Sequence, residues 1–141
     1  MTDVHSPIVR SYNMSRIKGI NTKPEILVRK FLFSKGFRFR LHSLNLPGKP
    51  DIVLSRYKTV IFVNGCFWHG HEDCKYFVVP KTKTEWWQNK ISRTKQLDKE
   101  NLETLNYKKW NVITIFECEL KKSSIDFTFD NLIKNLKKQI K

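Results

Sequence analysis

Leu46-Pro47-Gly48-Lys49-Pro50-Asp51-Ile52-Val53-Leu54, followed after a short polar break by Thr59-Val60-Ile61-Phe62-Val63, decides the architecture of this chain. Pro47, Gly48 and Pro50 mark a turn, and the turn delivers Asp51 to the start of a short apolar strand, Ile52-Val53-Leu54. Arg56-Tyr57-Lys58 supplies a hairpin connection. Thr59 to Val63 is apolar and largely β-branched, the pattern of a central strand buried on both faces.

Upstream, Thr22 and Glu25 have the spacing of a capping box, and Ile26, Leu27, Phe31 and Leu32 follow at helical spacing until Gly36 ends the segment. Phe37-Arg38-Phe39-Arg40-Leu41 alternates apolar and basic residues, which predicts a half-buried strand with Arg38 and Arg40 on one face. Downstream, residues 64–83 hold aromatics, histidines and cysteines without periodicity, a functional loop or metal knot. A second capping box, Thr82 to Glu85, predicts a long polar helix to about Lys109. Val112 to Phe116 reads as a further buried strand. Residues 123–141 end in a helix whose apolar stripe is Leu132, Ile133, Leu136 and Ile140. Helix, three strands, helix, strand, helix fits a mixed sheet flanked by helices. The first dozen or so residues, 1–13, read as a flexible arm, and 14–141 as one domain.

The 141 residues are 40% hydrophobic and 13% aromatic, enough to build one modest core. No apolar run approaches a membrane span, and the N-terminus has no secretory core, so a cytosolic protein is expected. Lysine and arginine number 27 against 13 acids, a net charge of +14. Residues 1–50 carry ten basic side chains against Asp3 and Glu25 alone, a local +8. Such a field attracts polyanions and releases counterions from phosphates, although solubility accounts for basic charge about as often.

Three cysteines, an odd number in a cytosolic chain, point away from disulfides and towards metal or free thiols. Cys66, His71, Cys74 and Cys118 form a closed set of three thiolates and one imidazole, the ligand type of structural zinc. The plainer alternative is buried thiols beside a surface histidine. Asp51 at a strand edge, with a carbonyl from the adjacent strand, can hold magnesium near a phosphate, or it is an ordinary turn aspartate. Gly65-Cys66-Phe67-Trp68-His69-Gly70-His71 sets two large aromatics in a tightly turned backbone, where they either wedge between base steps or cover the metal knot. His69 has a side chain suited to acid–base work near neutral pH.

Taken together these segments resemble the very-short-patch-repair mismatch endonucleases. The matching runs are Met14 to Gly19, Asn21 to Glu25, Gly36 to His42, Leu46 to Val53, Phe62, Gly65 to His71, Trp87 and Trp110 to Leu120. The resemblance implies a restriction-endonuclease-like fold and hydrolysis of the phosphodiester 5′ to the thymine of a T·G mismatch in double-stranded DNA. It implies that Asp51 and the main-chain carbonyl of Val63 hold magnesium, two ions in all, that His69 activates or positions water, and that Glu25 supports metal-bound waters. Phe67, Trp68 and Trp87 would intercalate, and Cys66, His71, Cys74 and Cys118 would hold one structural zinc. Asn64 stands where the best-known members carry a second active-site histidine; it can orient a water or phosphate but cannot take a proton. A functional association with a cytosine-5 DNA methyltransferase, a monomeric state and a bacterial, nucleoid-associated location follow from the same resemblance. A zinc-stabilised DNA-binding module and a restriction-type nuclease are the alternatives.

Overall fold

The computed structural model describes residues 22–139 except 73 and 76. The expected arm at 1–13, the Met14–Gly19 run and Ile140 of the terminal stripe lie outside the described residues. Three helices, α1 (Lys23–Ser34), α2 (Thr84–Tyr107) and α3 (Ile125–Lys138), surround a sheet of β1 (Arg40–Leu41), β2 (Ile52–Leu54), β3 (Thr59–Asn64) and β4 (Asn111–Phe116). The strands lie in sequence order, β1-β2-β3-β4. The first two pairings are antiparallel and β3–β4 is parallel, so the segment between β3 and β4 is a long crossover containing α2.

Alternation along the strands feeds two cores. Ile52, Leu54, Ile61 and Ile115 pack with Val28 and Leu32 of α1 and Leu132 and Leu136 of α3. Val53 and Val60 turn the other way, onto Leu105 of α2, with Phe62, Trp110 and Val112 around them. Helices α1 and α3 therefore cover one face of the sheet and α2 the other, and β3 is fully buried from Thr59 to Ile61 as its apolar run demands. Each fully buried leucine or isoleucine contributes roughly 2 kcal/mol of transfer free energy.

Several expectations need correction. The strand expected over 37–41 keeps its alternation, with Arg38 and Arg40 exposed, but only Arg40 and Leu41 pair with β2. In α1 the buried stripe is Glu25, Val28 and Leu32, while Leu27 is 41% exposed. Thr22 caps α1 as expected, accepting from the Glu25 N–H at 3.3 Å, but the Glu25 carboxylate is turned inward. Thr82 caps nothing: α2 begins at Thr84, after Lys83 in the left-handed region, and Thr84 Oγ1 donates back to Pro80 and Lys81 carbonyls. β4 is an edge strand among the described residues, with Ile115 its one buried side chain.

Candidate active site and metal centre

Two clusters form near the C-terminal end of β3. The first gathers on Asp51. Its N–H donates to the Ile61 carbonyl at 3.1 Å, extending the β2–β3 ladder by one residue, and its Oδ2 accepts the Val63 N–H at 2.7 Å. From the α1 face comes Glu25, 1% exposed, whose Oε2 lies 2.9 Å from Arg29 Nη1 and 2.7 Å from His42 Nε2. Ligand-type atoms of Glu25, His42 and Asp51 all lie within 4.8 Å of one another, close enough to share one cation. From the α2 face comes His69, whose Nδ1 lies 2.7 Å from Asp98 Oδ2 on α2.

Electrostatics mark Asp51 as the meeting point of these layers. Burial pushes its carboxyl from an ordinary 3.8 up to about 6. The Val63 N–H works against that rise, the Glu25 charge adds to it, and His42 and His69 offset it. A carboxylate held between a second carboxylate and two imidazoles is a receptor for positive charge. Asn64, the last residue of β3, is half-buried and in register with Phe116 on β4.

The second cluster is sulfur-rich. Cys66 lies two residues beyond β3 and is 1% exposed, and Cys118 sits in the 3-10 turn after β4. The Cys118 N–H donates to Cys66 Sγ at 3.4 Å, and His71 Nδ1 lies 3.4 Å from Cys118 Sγ, its ring stacked on Phe116 at 3.8 Å. Donor atoms of Cys66, His71, Cys74 and Cys118 lie within 4.8 Å of one another. Burial raises the Cys66 thiol, and burial followed by its sulfur neighbours Cys66 and Cys74 pushes Cys118 up to about 12. Three thiols packed this closely ionise together only around a cation, and a tetrahedron of three sulfurs and one nitrogen is a ligand set that could hold a metal ion.

The loop between the clusters is compressed by turns: His69 N–H to Gly65 O, Gly70 N–H to Phe67 O, and His71 N–H to Cys66 O. Gly70 makes this possible, with a φ of 57° and a position where a Cβ would fall 2.7 Å from Ile91 on α2. The loop is thereby seated against α2, and the aromatic side chains meet there. Phe67 lies edge-on to Trp68 and to Trp87, each at 5.3 Å between centroids, and Trp68 lies 5.7 Å from Trp87. Trp86, 53% exposed, is edge-on to Trp87, and Phe77 adjoins Phe67.

Residues 2–76 match the family model described as DNA mismatch endonuclease Vsr. The chain belongs to the Vsr family. It is 47% identical over 125 residues, 89% of each chain, to type II nicking enzyme V.NmeAIP of Neisseria meningitidis serogroup A. It is 43% identical to type II nicking enzyme V.XorIIP of Xanthomonas oryzae pv. oryzae, covering 85% of this chain and 88% of that one. It is 40% identical over 121 residues to DNA mismatch endonuclease Vsr of Escherichia coli K12, covering 86% of this chain and 77% of the relative.

Measured against the Vsr resemblance, the structure brings Asp51, Glu25 and Val63 together, sets His69 within electrostatic reach of Asp51, joins all four sulfur and imidazole donors, and packs Phe67, Trp68 and Trp87 into one cluster. Sequence reasoning missed four participants. His42 lay inside a matching run but carried no assignment. Asp98 is 29 residues from His69 and was hidden in a run of polar helix positions. Trp86 and Phe77 extend the aromatic cluster. The adjacent Trp86-Trp87 pair at the start of a polar helix was a legible signal for the first of these; Asp98 had none.

Proposed function

We propose that this chain is a magnesium-dependent endonuclease that nicks one DNA strand 5′ to the thymine of a T·G mismatch, as in very short patch repair. The observation that carries the reading is the Asp51 carboxylate, fixed on the Val63 N–H between Glu25 and the His69–Asp98 pair, in a chain of this family. A mixed sheet covered by helices on both faces, with the carboxylate at a strand edge, also supports the restriction-endonuclease-like fold.

Asp51 and the Val63 carbonyl would be the protein ligands of magnesium. N–H and C=O of one strand residue point to the same edge, so the bond from Val63 N–H to Asp51 turns that carbonyl towards the pocket as well. The oxygen donors suit magnesium, which when bound, as two ions, offsets charge on the attacking and leaving oxygens. Asp98 accepts from His69 Nδ1–H, which leaves Nε2 with the lone pair to position water or take its proton. Glu25 supports ordered waters from the α1 side, and Asn64 orients phosphate or water. Phe67, Trp68 and Trp87 form the wedge that unstacks the mismatch, where base pairing offers least resistance. The Cys66, His71, Cys74 and Cys118 set would hold one structural zinc, its four donors filling a tetrahedral shell. The chain acts as a monomer on double-stranded DNA, in the cytoplasm beside the nucleoid, in functional association with a cytosine-5 DNA methyltransferase. No helix among the described residues is long and apolar enough to cross a membrane. A pure binding module would have no use for the Asp51 and His69 arrangement.

The test is a panel of T·G and matched duplexes in varied flanking sequence, incubated with purified protein and magnesium. Nicking 5′ to the mismatched T, lost in Asp51→Asn with mismatch binding retained, is the expected result. Cleavage of both strands of matched duplex, or unchanged turnover in Asp51→Asn, overturns it.

A further inference from the structure

Two carboxylates side by side repel, and something has to hold Glu25 and Asp51 together. His42 does so from both of its ends. Its main-chain N–H donates to the Asp51 carbonyl at 3.0 Å, while its ring Nε2 lies 2.7 Å from Glu25 Oε2. One residue thus bonds the peptide that carries one acid and the carboxylate of the other. The ring reaches back over the pocket because the chain leaves β1 with His42 in the left-handed region, at φ 51°. Lys49, Lys58, Lys83 and Lys109 share that left-handed conformation, so what sets His42 apart is its pair of bonds to the two acids. Arg29 grips the same Glu25 oxygen from α1 at 2.9 Å, so the carboxylate is fixed from two different elements. Its capping-box neighbour Thr22 does not account for this inward orientation.

We infer that His42 is a positioning residue for the divalent-cation pocket, strapping the α1 carboxylate of Glu25 to Asp51 and thereby setting how tightly the pair takes a hard divalent cation. Imidazole is a poor partner for magnesium, so the ring fixes Glu25 and does not join the ligand shell. The inference rests on the nuclease reading only in assuming that the pocket takes a divalent ion.

The experiment compares His42→Gln with His42→Asn in the full chain. The Gln amide nitrogen reaches as far as Nε2 and still donates to Glu25. Asn is shorter, yet it is among the residues that best tolerate a left-handed backbone, so the fold survives while the strap is cut. Manganese is the probe, followed by loss of the free-ion electron paramagnetic resonance signal. Binding should weaken about tenfold in His42→Asn and stay within about threefold of wild type in His42→Gln. In single-turnover nicking the magnesium needed for half-maximal rate should rise in parallel, with duplex affinity in chelator unchanged. Wild-type manganese affinity in His42→Asn, or equal losses in both variants, overturns the strap. Failure of the wild-type chain to nick at all, with the two variants still differing in manganese affinity, overturns the nuclease reading and leaves the strap standing.

Discussion

Asp51 with Glu25 and His42, and Cys66 with His71, Cys74 and Cys118, are both groups of ligand atoms within 4.8 Å of each other near the end of one strand, yet they are built in opposite ways. The first is rich in oxygen, half-open, and backed by donors that hold it in shape: Arg29, His42, the Val63 N–H. The second is rich in sulfur and is held by contacts among its own members, by the Phe116 ring and by the turns of the loop that carries Cys66 and His71. A site that must exchange water and phosphate needs a scaffold that stands without the ion. A site that only staples can let the ion be the scaffold.

Cutting the staple should therefore have the largest effect. Cys118→Ser should release the proposed zinc, measured by metal analysis against wild type, and lower the melting temperature by on the order of 10 °C. Full zinc content with unchanged melting would erase the contrast. Next comes the chemistry on the open side: His69→Ala should slow single-turnover nicking roughly 10²- to 10⁴-fold with little change in duplex affinity. Asp98→Asn, which leaves the ring but loses its tautomer anchor, should cost roughly 10- to 100-fold. Equal rates for wild type and His69→Ala would remove the imidazole from the reaction. Trp68→Ala sharpens the boundary between the clusters and should weaken binding to mismatched duplex about tenfold, more than to matched duplex. Equal losses on both would reduce the aromatic cluster to a cover for the sulfur site.

The smallest effect is a stability trend in the ion-free protein. Asp51 rises from 3.8 to about 6 on folding, so between those values the folded chain keeps a proton that the unfolded chain has released. Stability from this group is complete below the unfolded value and declines as pH climbs through the window. Asp51→Asn should flatten that slope and raise stability at pH 7–8 by about 1–2 kcal/mol in chelator, allowing for partial solvent screening. A melting curve for Asp51→Asn that drops with rising pH as steeply as wild type would assign the trend elsewhere.

How legible all this was in the residues differs between the two clusters. The sulfur cluster was legible because cysteine and histidine at metal spacing have few other uses, and all three cysteines fall in it. The central strand was also plain, since the apolar run at Thr59–Val63 reports burial, whereas of the alternating stretch Phe37–Leu41 only Arg40 and Leu41 pair. The oxygen cluster was half visible. Glu25 had a sufficient local explanation as a capping-box residue, and only the packing of α1 against the sheet turns its carboxylate onto His42. His42 and Asp98 depend on an antiparallel register and on the rotation of a 24-residue helix, neither of which single-residue chemistry can signal. Thr82 failed as a cap because Lys83 takes the left-handed backbone as the N-cap and moves the helix start by one position.

The parallel pairing of β3 with β4 carries a kinetic consequence. Thr59 and Asn111 are register partners 52 residues apart, whereas the β2–β3 hairpin closes between Leu54 and Thr59. Hairpins form in microseconds, but a parallel neighbour has to wait for the whole intervening excursion to come home. Cys66, His69, His71, Cys74, Trp87 and Asp98 all ride on that excursion, and Cys118 arrives after it. The Asp51 pocket can therefore close from local contacts, whereas the sulfur cluster waits for Cys118, which lies beyond the crossover.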